Sequence, residues 1–440
     1  MVTQVVIVGA GPSGLLLAHY LLRRTQKYQI AIYERRGDPR TVSFSTARTY
    51  PLTLIERGRR ALRKIEGLEE AVMAQGVAIA HTQFHRPNGK TVVFTRKQPI
   101  IAIDRTRLAI ALLERLIATS DPQRLQIHFN CECTQVDLTA RAIAFQKHSA
   151  GGTEAFTVTY DRLIGADGAN STVRSAFLKT ARFDFTQKYL DNDYKALFLR
   201  RPDANSGIDL QPGSIHSWRL DGGTSFLAVP QLDETVSCVI TFPHQDETVT
   251  RLATPEAAIA FFAQHFPETA TLLTPSEAEA FLARPLSNLV TIRCNRYHQE
   301  GRVLLIGDAA HAVSPSLGQG GNAALEDVML FDSLLDDCDD NWAIALPQFT
   351  LRRQPDADAL LELSDHAFPL SKWLFLELMI RRRLSKSLHA TLPQFFSPFL
   401  FDLISETTLP YAEILTAYQG WIAKVKKSNQ RFLKHLSSSS

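Results

Sequence analysis

The chain has 440 residues, 45% of them hydrophobic and 21% charged, a composition that supports a large buried core divided over two or three domains. Its formal charge of +3, with no Lys/Arg block in the first 370 residues, gives no reason to expect a nucleic-acid partner. The five cysteines, Cys131, Cys133, Cys238, Cys294 and Cys338, contain no second pair at zinc spacing, so reduced thiols and no metal site are expected.

The first element is the stretch "QVVIVGAGPSGLLLAHYLLRR". Val5 to Val8 form a short apolar run that predicts a buried strand, and helical spacing begins at Leu15. Between them lie Gly9, Gly11 and Gly14, which permit a tight turn, a close approach of pyrophosphate to the backbone, and close helix–strand packing. The helix start then offers free amides and a positive dipole end to negative charge. The next apolar run, "QIAIYE", ends at Glu34, 20 residues after Gly14, where a carboxylate can accept both hydroxyls of an adenosine ribose. This is a dinucleotide-binding signal that does not by itself separate FAD from a nicotinamide cofactor. The chain opens directly on a strand with no basic leader, so a cytoplasmic location is expected.

Further along, "YDRLIGADGANSTVRSAF" predicts a short strand at Leu163 and Ile164, a turn through Asp167 and Gly168, and a helix capped by Asn170 or Ser171. Residues 181–290 change texture. Short β-branched and aromatic runs separated by turn residues predict a mainly antiparallel sheet, with a helix near Pro255 on its outer face. Within it His216, Trp218 and Arg219 are candidates to line a pocket. The stretch "VLLIGDAAHAVSPSLGQGGNAALEDVML" then predicts a buried parallel strand with Asp308 at its carboxyl end, followed by exposed amides ahead of an amphipathic helix. An acid for sugar hydroxyls and a turn for a carbonyl-rich ring suit a long dinucleotide such as FAD stretched across one domain. His311 is read as a structural hydrogen-bonding residue. From 351 onward the chain is predicted to be mostly helical. The apolar stretches 367–380 and 392–404 are read as helices packed on the body, with a weak peripheral membrane contact kept as an alternative because basic residues follow them. Neither a G-x-S-x-G elbow nor an H-E-x-x-H motif occurs, so hydrolase chemistry is not indicated.

Three stretches, "VVIVGAGPSGLLLAHYL…YE", "RLIGADGANSTVRS" and "GRVLLIGDAAHAVSPSLGQGGNAALEDV", together resemble the group A FAD-dependent aromatic monooxygenases of the para-hydroxybenzoate hydroxylase fold. Within them the chain is most similar to the kynurenine 3-monooxygenase family, through residues 47–77 and through "SETTLPYAEI". The resemblance implies an α/β FAD-binding Rossmann-like domain with an inserted, mainly antiparallel β-sheet substrate domain and a helical C-terminal region. The FAD-binding parts would be 1–75, 101–180 and 291–350, the substrate parts 76–100 and 181–290, and the helical region 351–440. It implies hydroxylation of an aromatic substrate with NADPH (or NADH) and O2 through a flavin C4a-hydroperoxide. The roles it implies place Gly9, Gly11 and Gly14 at the ADP end of FAD, Glu34 with neighbouring Arg35 at the adenosine ribose, and Arg105 on the pyrophosphate side. Arg48 would lie at the isoalloxazine, Asp167 in a motif tied to both FAD and NADPH, and Asp308 at the ribityl hydroxyls. Pro315, Gly318, Gln319, Gly320 and Gly321 would lie near the ring, with Asn322 close by, and Arg48, Pro315 and Gly320 are the positions assigned to catalysis. For the substrate it points to Thr82, Phe94, Arg96, His216 and Tyr411. Thr82 stands where the kynurenine enzymes carry an arginine for the substrate carboxylate, and Phe94 to Arg96 lie around the position of their tyrosine. Competing readings are a hydroxylase or epoxidase of another aromatic acid or polycyclic natural product, a flavoprotein reductase, and a non-enzymatic flavin-binding module. Nothing in the chain specifies an oligomeric state.

Overall fold

The structure is a computed structural model and describes residues 2–24, 26–41, 51–86, 89–203, 208, 210, 212–220, 222–233, 235–392, 394 and 398–437. The apolar run at the amino terminus forms the strand Thr3–Val8, in which Val5 to Val8 are all buried. Burial on both sides is what an uninterrupted valine/isoleucine run allows and an alternating strand does not. It sits inside a six-stranded sheet, between parallel partners Tyr28–Tyr33 and Arg162–Gly165. Leu125–His128 extends the sheet on one side and Val303–Leu305 on the other, both parallel, and His298–Gln299 closes an edge in the antiparallel sense. The helix Pro12–Arg24 follows the first strand. Its Leu15 and Leu16 share one core with Leu112 of the helix Arg105–Thr119 and Leu325 of the helix Gly320–Asp337.

Between Leu125–His128 and Arg162–Gly165 the chain crosses over as an antiparallel meander, Cys131–Asp137, Ala142–Ser149 and Gly152–Thr159. Tyr33 stacks on Phe145 of that meander with ring centroids 4.2 Å apart, which fixes the meander over the end of the second strand.

The second sheet has eight strands in the order Ser287–Cys294, Phe185–Arg200, Thr235–Pro243, Ser225–Pro230, Ser214–Arg219, Val77–His85, Thr91–Asp104 and Pro51–Leu54. Its pairings are antiparallel except where Ser214–Arg219 lies parallel to Val77–His85. On its outer face Trp218, Phe226 and Phe242 pack with Phe261 and Phe262 of the helix Pro255–His265. That helix starts where Pro255 predicts, with Thr254 accepting from the Ala257 N–H. Ile55, Ile79, Ile100, Ile215 and Val229 form a separate cluster on the inner face.

The carboxyl-terminal region is helical: Trp342–His366, Lys372–Thr391, Leu400–Glu406 and Tyr411–Ser437. The expectation that residues 367–380 form a helix packed on the body is met only in part. The helix begins at Lys372, and Trp373 is 82% exposed, with Leu376, Ile380 and Leu384 each about half exposed along the same side. No helix among the described residues is long and apolar enough to cross a membrane. The architecture is a Rossmann-like domain with an inserted sheet and a helical carboxyl-terminal region.

Candidate cofactor and substrate site

A cleft of about 930 Å3 opens at the carboxyl ends of the parallel strands. This is the upper part of the roughly 300–1,000 Å3 range of small-molecule and cofactor sites. Gly9 and Gly11 lie on its floor, with Glu34, Arg35, Arg105, Asp167 and Asp308 around it. Residues more than 270 positions apart in the chain thus meet in one space. Tyr189, Tyr194, Ser287 and Asn288, from two strands of the eight-stranded sheet, complete the wall. Sequence reasoning missed these four, because no motif marks them.

Two glycines explain how the floor is shaped. Gly9 adopts φ +103°, and a Cβ there would stand 2.4 Å from the Ala166 carbonyl oxygen. A Cβ on Gly14 would stand 2.3 Å from the Gly9 carbonyl oxygen, so the first helix turn and the strand end touch backbone to backbone. Glu34 accepts the Ala10 N–H at 2.9 Å through one oxygen and the Arg36 N–H at 2.9 Å through the other. Its carboxylate is therefore held at the cleft wall by two backbone donors. Arg35 is exposed at the rim.

Asp167 follows the strand Arg162–Gly165. One carboxylate oxygen accepts the N–H groups of Thr172 and Val173 at 2.8 and 3.2 Å, while the other is buried with no hydrogen-bond partner. Burial pushes its pKa up. Ser171 caps the short helix Thr172–Phe177, accepting from the Arg174 N–H. Cys131 and Cys133 also line the cleft, and burial pushes the Cys133 thiol up to about 12, which keeps it protonated and unreactive near neutral pH.

Asp308 opens the short helix Asp308–His311. The turn before it is fixed from below: Asp327, wholly buried, accepts the Gly307 N–H at 2.8 Å and bonds His311 Nε2 at 2.7 Å. His311 is therefore tied up structurally. Asp327 belongs to the helix Gly320–Asp337, so the same helix that starts at the glycine turn also supports Asp308.

That turn runs through a single 3-10 turn at Pro315–Leu317 and the left-handed Gly318, φ +65°. The N–H groups of Gly320, Gly321 and Asn322 precede the first intrahelical bond, from the Ala323 N–H to the Gln319 carbonyl, and so are left for a ligand. The side chains expected beside the cofactor are committed elsewhere. Asn322 is fully buried, donates to the Thr53 carbonyl at 2.8 Å and accepts the Ile55 N–H at 3.0 Å. Gln319 donates to Leu317 and accepts from the Tyr411 hydroxyl at 3.0 Å. Tyr411 is itself fully buried, with the Arg57 guanidinium 4.0 Å above its ring. Its contact is with the turn and with Arg57. Pro315 and Gly318 lie at this turn, outside the wall of the large cleft.

The remaining substrate candidates divide between two faces. The Ile55 cluster, joined to Asn322 through the Ile55 N–H, marks the inner face. Ile215 belongs to it and pairs with Thr82, which pairs with Phe94, so Thr82 and Phe94 face inward. Arg96 is with them, donating to the Thr82 hydroxyl at 3.1 Å. His216 is not brought to this group. Alternation along Ser214–Arg219 turns it to the outer side with Trp218, where His85 contacts it at 3.1 Å and stacks on Trp218 at 4.3 Å. Arg48 falls outside the described residues.

Residues 2–338 match the family described as FAD binding domain. Among curated proteins, the chain is 33% identical over 411 residues to the kynurenine 3-monooxygenase of Xanthomonas oryzae pv. oryzae, covering 89% of this chain and 85% of that protein. It is 31% identical over 431 residues to the kynurenine 3-monooxygenase of Drosophila willistoni, covering 95% and 90%. Among solved structures it resembles 2-methyl-3-hydroxypyridine-5-carboxylic acid oxygenase, with TM-score 0.67 and 19% identity over 83% of this chain and 91% of that one. PqsL of P. aeruginosa, in complex with 2-aminobenzoylacetate, gives TM-score 0.63 and 19% identity over 83% and 95%. These two likenesses speak for the fold. The residues present fit FAD: the cleft carries a backbone-held carboxylate at Glu34, a backbone-lined floor, and a buried Asp167 oxygen that lacks a partner within the chain. The chain belongs to the group A FAD-dependent aromatic monooxygenases, enzymes related to kynurenine 3-monooxygenase whose chemistry is FAD- and NAD(P)H-dependent aromatic hydroxylation.

Proposed function

We propose that the chain hydroxylates kynurenine or a related amino-acid-bearing aniline or phenol, with NADPH (or NADH) as reductant and O2 as the oxygen source. The observation that supports this reading is the convergence of Glu34, Asp167 and Asp308 in one cleft walled in part by the eight-stranded sheet, whose inner face carries the apolar cluster of Ile55, Ile79, Ile100, Ile215 and Val229. When bound, FAD supplies hydride acceptance and oxygen activation. The chain's own residues bind, orient and exclude water. Gly9, Gly11 and the start of the helix Pro12–Arg24 receive the pyrophosphate, with Arg105 beside it. Glu34 takes the adenosine ribose and Asp308 the ribityl hydroxyls. The amides of Gly320 and Gly321 would hold the carbonyl-rich end of the ring, where fixed dipoles would stabilise negative charge without reorganising. Gln319 and Asn322 brace that turn, and Tyr411 acts on it through Gln319. Ile55, Ile79, Ile100 and Ile215 keep water from the space above, which strengthens each polar contact made there. Thr82, Phe94 and Arg96 orient the substrate from the same face.

The second reading, a hydroxylase or epoxidase of another aromatic acid or polycyclic natural product, is favoured by one observation. The Thr82 hydroxyl, at the position where the resemblance implies an arginine for the substrate carboxylate, accepts from Arg96 instead. A substrate panel decides. NADPH oxidation and oxygen uptake are followed with L-kynurenine and other aromatic rings, and products are identified by mass. A product one oxygen atom heavier than L-kynurenine supports the first reading; turnover only on other rings supports the second and sinks the first.

The exposed side of the helix Lys372–Thr391 supports the further expectation of a peripheral contact with an anionic membrane surface. Trp373, Leu376, Ile380 and Leu384 line it, beside exposed Arg381 and Arg383, the pairing of apolar and cationic groups that interfacial helices use. Cosedimentation with phosphatidylglycerol vesicles, lost in Trp373→Ser, checks it, and failure of the unaltered protein to cosediment at low salt removes it.

A further inference from the structure

The turn that the reading above assigns to the flavin ring is packed on the carboxyl-terminal helices rather than on the core of its own domain. Leu325 and Val328, further along the helix Gly320–Asp337, bury in the core of the parallel sheet. Ala323 instead belongs to a separate cluster with Leu360, Leu363, Leu403 and Tyr411, and Val313 and Leu317 pack against that same cluster. The polar handles of the turn lead the same way. Ser316 Oγ donates to the Ser364 carbonyl at 2.5 Å, and the Tyr411 hydroxyl donates to Gln319 Oε1 at 3.0 Å. Both members of the second pair are buried.

The segment that delivers Tyr411 is itself pinned. Arg57 donates to the Leu409 carbonyl at 2.5 Å and to Glu326 at 2.6 Å, with its guanidinium over the Tyr411 ring. The Ala412 N–H donates to Asp356 at 3.0 Å. Tyr411 is the first residue of the helix Tyr411–Ser437, so these contacts fix where its hydroxyl reaches the turn. Burial pushes the Tyr411 pKa up, and the hydroxyl stays a donor near neutral pH. Gln319 can use its amide in one sense only: Nε2 donates to the Leu317 carbonyl at 3.1 Å, which leaves Oε1 to accept from Tyr411. Without that hydroxyl Oε1 becomes a buried acceptor with no donor, a state that costs more than the bond itself is worth.

We infer that Tyr411 is a positioning residue for the flavin ring: through Gln319 it fixes the Gly320 and Gly321 amides, so that the carboxyl-terminal helices set how strongly the bound flavin attracts electrons. This rests on the placement of the flavin ring in the reading above and adds the element that tunes it. Reduction adds negative charge to the ring, and amide dipoles favour that charge only as far as they are held in place. A turn free to relax gives up part of the preference. Loosening Tyr411 therefore lowers the flavin's potential.

The test compares Tyr411→Phe with Tyr418→Phe in the FAD-loaded protein without substrate, reading the midpoint potential by equilibration with a redox dye. Tyr418 lies further along the same helix, and its hydroxyl donates to the Pro398 carbonyl at 2.5 Å. The control thus loses a hydroxyl from the same core but not from the turn. Tyr411→Phe should weaken the preference for reduced flavin about threefold to tenfold, the worth of one hydrogen bond. For a two-electron couple that is a fall of roughly 15–30 mV. Tyr418→Phe should leave the potential unchanged. Gln319→Met should lower it at least as far as Tyr411→Phe, and the double variant no further than Gln319→Met, because the two residues act as one unit. Flavin content checks folding, and if Tyr411→Phe holds no flavin, Gln319→Met against Tyr418→Phe decides. Binding of the ring that turns over in the panel above, read by perturbation of flavin absorbance, should be unaltered in Tyr411→Phe. An unchanged potential in Tyr411→Phe, or an equal fall in Tyr418→Phe, overturns the proposal. Weaker substrate binding with the potential unchanged overturns it too, and returns Tyr411 to the substrate. Absence of a hydroxylated product from every ring tested overturns the hydroxylase reading instead, whatever the potential shows.

Discussion

Arg353 offers the sharpest test of how the turn before Asp308 and the glycine turn before the helix Gly320–Asp337 are held. Its side chain is 3% exposed and donates to Asp327 at 2.6 Å, Glu326 at 2.9 Å, Asp356 at 2.8 Å and the Ala323 carbonyl at 2.9 Å. Asp327 in turn holds the Gly307 N–H ahead of Asp308. Burial pushes the Asp327 pKa up, but His311 and Arg353 outweigh it and hold the group below the usual carboxylate range. Arg353→Met removes the cation while three acids stay in place, each with another partner: His311 for Asp327, Arg57 for Glu326 and the Ala412 N–H for Asp356. Stranding buried charge in this way costs about 3–5 kcal/mol. With an unfolding entropy of about 2.1 cal/mol/K per residue, a unit of this size loses roughly 3–5 °C in Tm. The control is Arg293→Met, whose pair with Asp358 is 58% exposed on the arginine side and is worth less than about 1 kcal/mol. Thermal unfolding followed by circular dichroism and by release of flavin fluorescence gives both numbers. Flavin release should precede loss of helix in Arg353→Met, because the turn before Asp308 is loosened first. A Tm for Arg353→Met within about 1 °C of the control would refute the reasoning and show the cluster to be electrostatically neutral.

Gly14→Ala should yield protein that is purified without bound flavin, since its Cβ would meet the Gly9 carbonyl oxygen at 2.3 Å and backbone cannot yield cheaply; a flavin content equal to that of the unaltered protein counts against the floor geometry. His19 is buried with its Nε2 at the Leu112 carbonyl, and burial lowers its pKa to about 4. A folded-state pKa below the unfolded one means that its contribution is present above about pH 6.5 and is lost as pH falls toward 4. That change amounts to something on the order of 3 kcal/mol. His19→Gln should flatten Tm against pH across that window, and an unchanged slope would show that His19 is not the group responsible.

How much of this was legible in the sequence follows from the range of each interaction. The strand–glycine–helix run at residues 5 to 24 and the position of Glu34 were readable because the residues that explain one another lie within one supersecondary unit. The same holds for Asp308 at the end of Val303–Leu305 and for the Pro255 helix start. Gln319 and Asn322 were placed in the correct turn, yet their side chains serve Tyr411, Thr53 and Ile55, partners that a local reading does not supply. His216 shows the limit for strands. Alternation states that His216 and Ile215 point to opposite sides, but only the pairing of Ile215 with Thr82, and its contact with the Ile55 cluster, decides which side looks inward. The register shift between Ile79 and His81 further breaks the simple count along Val77–His85. Arg382 was the least legible, one of three adjacent arginines with nothing local to distinguish it, yet it alone is half-buried, with its guanidinium 4.3 Å over the Phe94 ring. Its inward turn depends on where the helix Lys372–Thr391 lands on a strand that begins at Thr91. The cofactor motifs are therefore legible through short-range contacts, while the inner face of the sheet is arranged by long-range pairings, where sequence patterns say least. The flavin chemistry could be read from motifs, while the inward facing of Thr82, Phe94 and Arg96 depends on strand pairings that no local pattern supplies.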